Sequence, residues 1–144
     1  MPTFDSARRT TQGARHYQED AAVIWPEGEA SPSADGARLV AVLADGMGGH
    51  AGGALASRIV CDSFLDVCVN ENGPVRERLL SGLAASNRAI AAKVDENPML
   101  AGMGSTLIGA HFCDGSVEWV SVGDSPLLLR SEEHTSELQS HHDL

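Results

Sequence analysis

The feature that most constrains this chain is the run Leu39-Val40-Ala41-Val42-Leu43-Ala44, which stops on Asp45-Gly46-Met47-Gly48-Gly49-His50. Six consecutive small and β-branched apolar residues read as a strand buried on both faces. Beyond it, Gly48, Gly49, Gly52 and Gly53 let the backbone turn sharply and bring its own amides and carbonyls close to a ligand. A carboxylate at the mouth of a buried strand is costly unless something positive meets it. A hard cation is the simplest such partner.

A second charged group lies upstream. Arg15-His16-Tyr17-Gln18-Glu19-Asp20 immediately precedes Ala21-Ala22-Val23-Ile24-Trp25, a short apolar run that reads as another strand. Arg grips a phosphate through two parallel N–H···O contacts. Adjacent carboxylates suit Mg²⁺ or Mn²⁺, which prefer oxygen ligands and retain several of their waters. The structural alternative is a surface ion pair between Arg15 and Glu19.

Taken together, these segments resemble the metal-dependent, type 2C family of protein serine/threonine phosphatases, in the bacterial style. Two further matches follow in order: Gly104-Ser105-Thr106-Leu107 and Val122-Gly123-Asp124-Ser125. The resemblance implies that Asp45 bridges two Mg²⁺ or Mn²⁺ ions and that the Gly46 carbonyl binds one of them. It implies that Glu19 and Asp20 hold metal-bound waters, that Arg15 binds the substrate phosphate, and that Asp124 lies near a third, accessory ion. The substrates it implies are phosphoserine and phosphothreonine in proteins, modified by an opposing Ser/Thr kinase. Gln18 replaces the family's usual Asn, Met47 stands where many members carry His, and Pro126 stands where Arg is common. Two further metal-binding aspartates of the family come from later strands and have no counterpart here.

The order of elements is strands, two helices, then antiparallel strands, an α+β pattern. By resemblance this is the N-terminal part of a four-layer αββα sandwich, two mainly antiparallel sheets flanked by helices. Residues 1–129 are the truncated phosphatase domain, with unpaired strand edges that disfavour folding alone. An edge strand is expected near Arg9–Gly13 and a solvent loop from Pro26 to Gly36. Ala54–Val69 reads as a helix with Ala56, Val60, Phe64 and Val67 on one face. Pro74 opens a second helix, with Leu79, Leu80, Leu83, Ile90 and Val94 at helical spacing. Thr106–Phe112 and Val117–Val122 read as strands joined at Asp114-Gly115, and Leu127–Leu129 as part of another. Trp25 and Trp119 are assigned to the core, His111 to a strand, His50 to the glycine turn and His16 to the mouth of the site.

From Arg130 the sequence matches a translated sequencing adapter, so 130–144 are set apart as a non-native tail. A short charged helix, or a metal site built from His134, His141 and His142, is the competing reading. The chain carries 20 acidic and 10 basic residues in 144, a net charge of −10. Without the tail, 16 acidic and 9 basic residues leave −7. That surface disfavours nucleic acid and anionic membranes as partners. Three cysteines, Cys61, Cys68 and Cys113, with no Cys-x-x-Cys pair, fit reduced thiols in the cytoplasm. No leader or membrane-spanning run is visible. A nucleotide-binding module is disfavoured, because the glycines lack both the Gly-Lys-Ser/Thr and the Gly-x-Gly-x-x-Gly pattern. A non-catalytic, phosphatase-like regulatory or binding module stays open for a chain without the later aspartates.

Overall fold

The computed structural model describes residues 4–14, 16, 18–27, 38–113 and 115–138, with His50 described only through its backbone. Strands β1 (Asp20–Trp25) and β2 (Arg38–Met47) lead into two long helices, α1 (His50–Asn70) and α2 (Val75–Glu96). A 3₁₀ turn at Pro98–Leu100 leads to β3 (Gly104–Ser105), β4 (Leu107–Cys113) and β5 (Ser116–Val122), then β6 (Leu127–Arg130) and β7 (Thr135–Leu138). The main sheet is antiparallel, in the order β1-β2-β4-β5, with β3 also paired to β2. Both helices lie on one face of it, an α+β arrangement.

Alternation along β2 sets the inside and the outside. Val40, Val42 and Ala44 are buried beneath the helices, whereas Leu43 on the opposite face is 43% exposed. The expectation of a strand buried on both faces therefore fails only toward the Asp45 end: Leu39 on the far face is still buried, Ala41 half-buried and Leu43 open, because the helices cover the other side of this antiparallel sheet. The strand also runs past Asp45, with Gly46 opposite Ser105 and Met47 opposite Gly104. The reversal is made at Gly48 (φ +135°) and Gly49 (φ +65°). Gly52 and Gly53 are then part of the first turn of α1 rather than of a loop.

Phe64 of α1 is fully buried and seats the helix pair on the sheet. Its ring fills the space that a side chain would need at Gly109 of β4, and its Cδ2 lies 2.8 Å from where a Cβ on Gly82 of α2 would stand. Cys61 and Cys68 belong to the same core. Burial pushes both thiols up to about 12, which leaves them protonated and unreactive.

Several expectations are corrected. Residues 9–13 form no strand; a turn lies at Gly13–Ala14. In α2, Leu80 faces solvent while Gly82 and Ser86 are buried, because the interface with α1 is close enough to admit only small residues. Trp25 is half-buried beside the core, with the Arg38 guanidinium 4.7 Å from its ring centroid. Trp119 is likewise half-buried. His111 lies in β4 and faces the helices, 3% exposed. The loop at 28–37, Asp114 and residues 139–144 lie outside the described residues. The part of the tail that is described forms no helix: Thr135–Leu138 pairs with β6, and a turn at Ser131–His134 closes that hairpin. His134 is exposed, and His141 and His142 lie outside the described residues, so the suggested histidine site cannot be placed. Among the described residues, no helix is long and apolar enough to cross a membrane.

Candidate active site

Two carboxylates face each other where β1 and β2 run out toward the glycine turn. Asp20 and Asp45 are direct partners in the antiparallel register. The Gly46 amide donates to the Glu19 carbonyl at 3.0 Å, making the neighbouring pair hydrogen-bonded. Asp20 and Asp45 therefore form a non-hydrogen-bonded pair, the position at which side chains on one face come closest. Both residues are exposed. Like charges directly opposite are destabilising in a sheet, and a cation beside them reverses the sign of that interaction.

Glu19 is adjacent to Asp20 in sequence, yet it is directed to a different place. Its Oε1 lies 2.6 Å from the point where a Cβ on Gly53 would stand. Gly53 lies in the first turn of α1, which has neither a side-chain N-cap nor an acidic residue of its own. A carboxylate there complements the positive end of the helix. Gly46 is pressed against the Gly53 carbonyl, so a side chain at 46 would collide with α1 backbone. These two glycines let the strand and the helix meet at van der Waals distance beside Asp45.

The motifs around 104–107 and 122–125 meet at the same place. Thr106 donates its backbone N–H to the Asp45 carbonyl at 2.9 Å, and the Asp45 N–H donates to Thr106 Oγ1 at 3.0 Å. Ser105 Oγ lies 3.2 Å from the same carbonyl. Thr106 Oγ1 and Ser125 Oγ share a hydrogen bond of 2.9 Å, which ties the Gly123-Asp124-Ser125 turn to the site. Asp124 is exposed on that turn. Thr106 and Ser125 belong to segments that the sequence singles out, but their hydroxyls carry no role that sequence alone reveals.

Arg15 lies outside the described residues, so neither its phosphate-binding role nor its pairing with Glu19 can be placed. Arg58 of α1 shares a groove of about 520 Å³ with Asp20, Arg8, Thr10 and Asp62. Oxygen donors from Asp20, Asp45 and the Gly46 peptide are the right kind for Mg²⁺ or Mn²⁺, which need few protein ligands because they keep several waters. Among the described residues no three His, Cys, Asp or Glu side chains converge as a metal cage. The site thus offers part of a donor set, and that part fits a hydrated hard cation.

Residues 27–143 match the family model described as Protein phosphatase 2C. The serine/threonine protein phosphatase PstP of Mycobacterium tuberculosis is 44% identical over 102 residues, covering 69% of this chain and 20% of PstP. The solved catalytic domain of PstP in complex with two manganese ions superposes with a TM-score of 0.70 at 30% identity, over 96% of this chain and 53% of that one. Staphylococcus aureus Stp1, a serine/threonine phosphatase, gives a TM-score of 0.74 at 28% identity, over 92% of this chain and 51% of its own. The chain spans about half the length of these solved structures.

Proposed function

The chain belongs to the protein phosphatase 2C family, and from that premise we propose that its parent enzyme hydrolyses phosphoserine and phosphothreonine in proteins with two Mn²⁺ or Mg²⁺ ions. The observation that carries this reading is the facing Asp20–Asp45 pair, at the point where all the described motif segments are joined by hydrogen bonds.

Asp45 and the Gly46 carbonyl would hold the ions, and Asp124 would serve a third. When bound, divalent ions lower the pKa of a water between them and offset the charge that develops on the phosphoryl group. Asp20 would hold a metal-bound water by accepting its hydrogens, while Arg15 would bind the phosphate through its two-pronged donor face. Glu19, whose Oε1 lies beside Gly53 in the first turn of α1, would likewise hold a metal-bound water. No nucleophilic Ser or Cys is required, and the buried, protonated cysteines are unsuited to the role.

Phosphorylated proteins made by a Ser/Thr kinase are the proposed substrates, the cytoplasm the proposed location, and nucleic acid and membranes are not proposed as partners. Residues 130–144 are proposed as a non-native tail. The support is its adapter-like sequence alone, since the family match runs on to residue 143; genomic DNA that reads through the tail in frame would overturn it. For the chain by itself, the lack of three converging acidic, His or Cys side chains among the described residues supports a second reading, a non-catalytic phosphatase-like module.

The test is hydrolysis of p-nitrophenyl phosphate and of a phosphothreonine peptide by the complete parent enzyme. Turnover is expected only with Mn²⁺ or Mg²⁺. Full activity in excess EDTA would exclude the metal-dependent reading.

A further inference from the structure

Asp45 breaks a rule of the sheet in which it lies. On both sides of it the pairing is regular and in one register, with Leu43 opposite Ile108 and Gly46 opposite Ser105. A regular hydrogen-bonded pair would exchange two N–H···O=C bonds between Asp45 and Thr106. Only one is made, from the Thr106 N–H to the Asp45 carbonyl at 2.9 Å. The Asp45 N–H goes instead to the Thr106 hydroxyl at 3.0 Å. The Thr106 carbonyl is turned to Ser105 Oγ at 2.7 Å. One side-chain oxygen has replaced one ladder carbonyl, with no residue inserted and no slip of register.

The exchange makes position 106 specific. Any residue supplies a carbonyl, but only Ser or Thr supplies a hydroxyl at this reach. Thr106 is 4% exposed, so the Asp45 amide has little access to water as a substitute partner. The same hydroxyl reaches Ser125 at 2.9 Å. Gly123 (φ +95°) lets that turn lie flush on Thr106, since a Cβ there would stand 2.7 Å from Thr106 Cγ2. The backbone of one acidic position, 45, and the turn carrying the other, 124, are thus fastened to a single buried side chain.

We propose that the Thr106–Ser125 hydroxyl pair is the positioning device of the metal site, fixing Asp45 and coupling its placement to the Asp124 turn. This rests on the reading that these acids take divalent ions. Thr106 is a positioning residue that acts through the Asp45 backbone. Partners that orient ligating groups without binding the metal characteristically alter its affinity by about 10–100-fold.

The test is Mn²⁺ affinity, followed by the electron paramagnetic resonance signal of free Mn²⁺ during titration of the complete parent enzyme. Thr106→Val keeps the shape and removes the hydroxyl, and it is expected to weaken Mn²⁺ binding by about 10–100-fold. Thr106→Ser restores the oxygen and should bind close to wild type. Ser125→Ala leaves the Asp45 contact in place and should show a smaller loss. In activity assays, the Thr106→Val defect should appear as a higher Mn²⁺ requirement, with kcat largely recovered at saturating metal. Wild-type affinity in Thr106→Val, or failure of Thr106→Ser to restore binding, overturns the proposal. If Thr106→Val does not fold, unchanged affinity in Ser125→Ala overturns it. A parent enzyme that binds Mn²⁺ but hydrolyses no phosphoester would refute the proposed function, while the affinity series still decides the role of Thr106.

Discussion

The two ends of β2 hold charge in opposite ways. At its start, Arg38 donates to the Val69 carbonyl at 3.5 Å and stacks on Trp25. Beside it, Arg78 donates to the Cys68 carbonyl at 3.0 Å. Both guanidiniums thus meet the carbonyl end of α1, where the helix dipole is negative and the last carbonyls lack helical partners. At the far end, Asp20 and Asp45 face one another, exposed, near the amide end of the same helix. One end sets its arginines on main-chain carbonyls. The other sets two exposed carboxylates opposite one another as strand partners, oxygen donors of the kind a hard cation takes.

The largest test of this contrast is Asp45→Asn in the complete parent enzyme. Mn²⁺-dependent hydrolysis should fall to background, while the metal-free fold should be retained, because Asn keeps both backbone contacts to Thr106. A clear drop in metal-free stability would make Asp45 a structural residue and end the contrast. Arg78→Met should do the reverse. Removing a charged hydrogen bond to the helix end is expected to cost about 1–3 kcal/mol in chemical denaturation, with Mn²⁺ affinity unchanged. The smallest effect concerns His111, which packs at the arginine end. Burial first, then Arg78 and Arg38, lower its pKa below the ordinary 6.5. The folded state therefore favours the neutral ring. Its contribution is complete above about pH 6.5 and is lost as pH falls from there through the folded value, at no more than about 1.4 kcal/mol per pH unit. His111→Gln should flatten that part of the stability–pH curve, and an unaltered curve would remove His111 from the account.

Much of this was legible before any coordinates. The apolar run ending in Asp45, the two helices and the antiparallel β4–β5 pair follow from periodicity and turn chemistry, and they fix the order of elements. Periodicity fails where small residues make the contact. Leu80 continues the apolar stripe of α2 but faces solvent, whereas Gly82 makes room for Phe64 and Ser86 Oγ reaches the Val60 carbonyl at 3.2 Å. A motif read as a string also treats neighbours as a unit. Glu19 and Asp20 adjoin in sequence, but strand alternation sends one toward α1 and keeps the other opposite Asp45. The Thr106 hydroxyl was hidden for a similar reason: β-branched Thr is expected in a strand for its shape, and the choice between hydroxyl and carbonyl depends on one peptide plane.

The contact of Gly46 with Gly53 has an evolutionary consequence. Strand and helix touch there through main chain alone, so no variation in side-chain size can adjust the gap between them. Selection for new targets, or an engineer seeking them, has no dial at this hinge point. Change has to come from the rim, through Arg8, Arg58 and the other residues of the neighbouring groove, while the floor beneath the acids stays as it is.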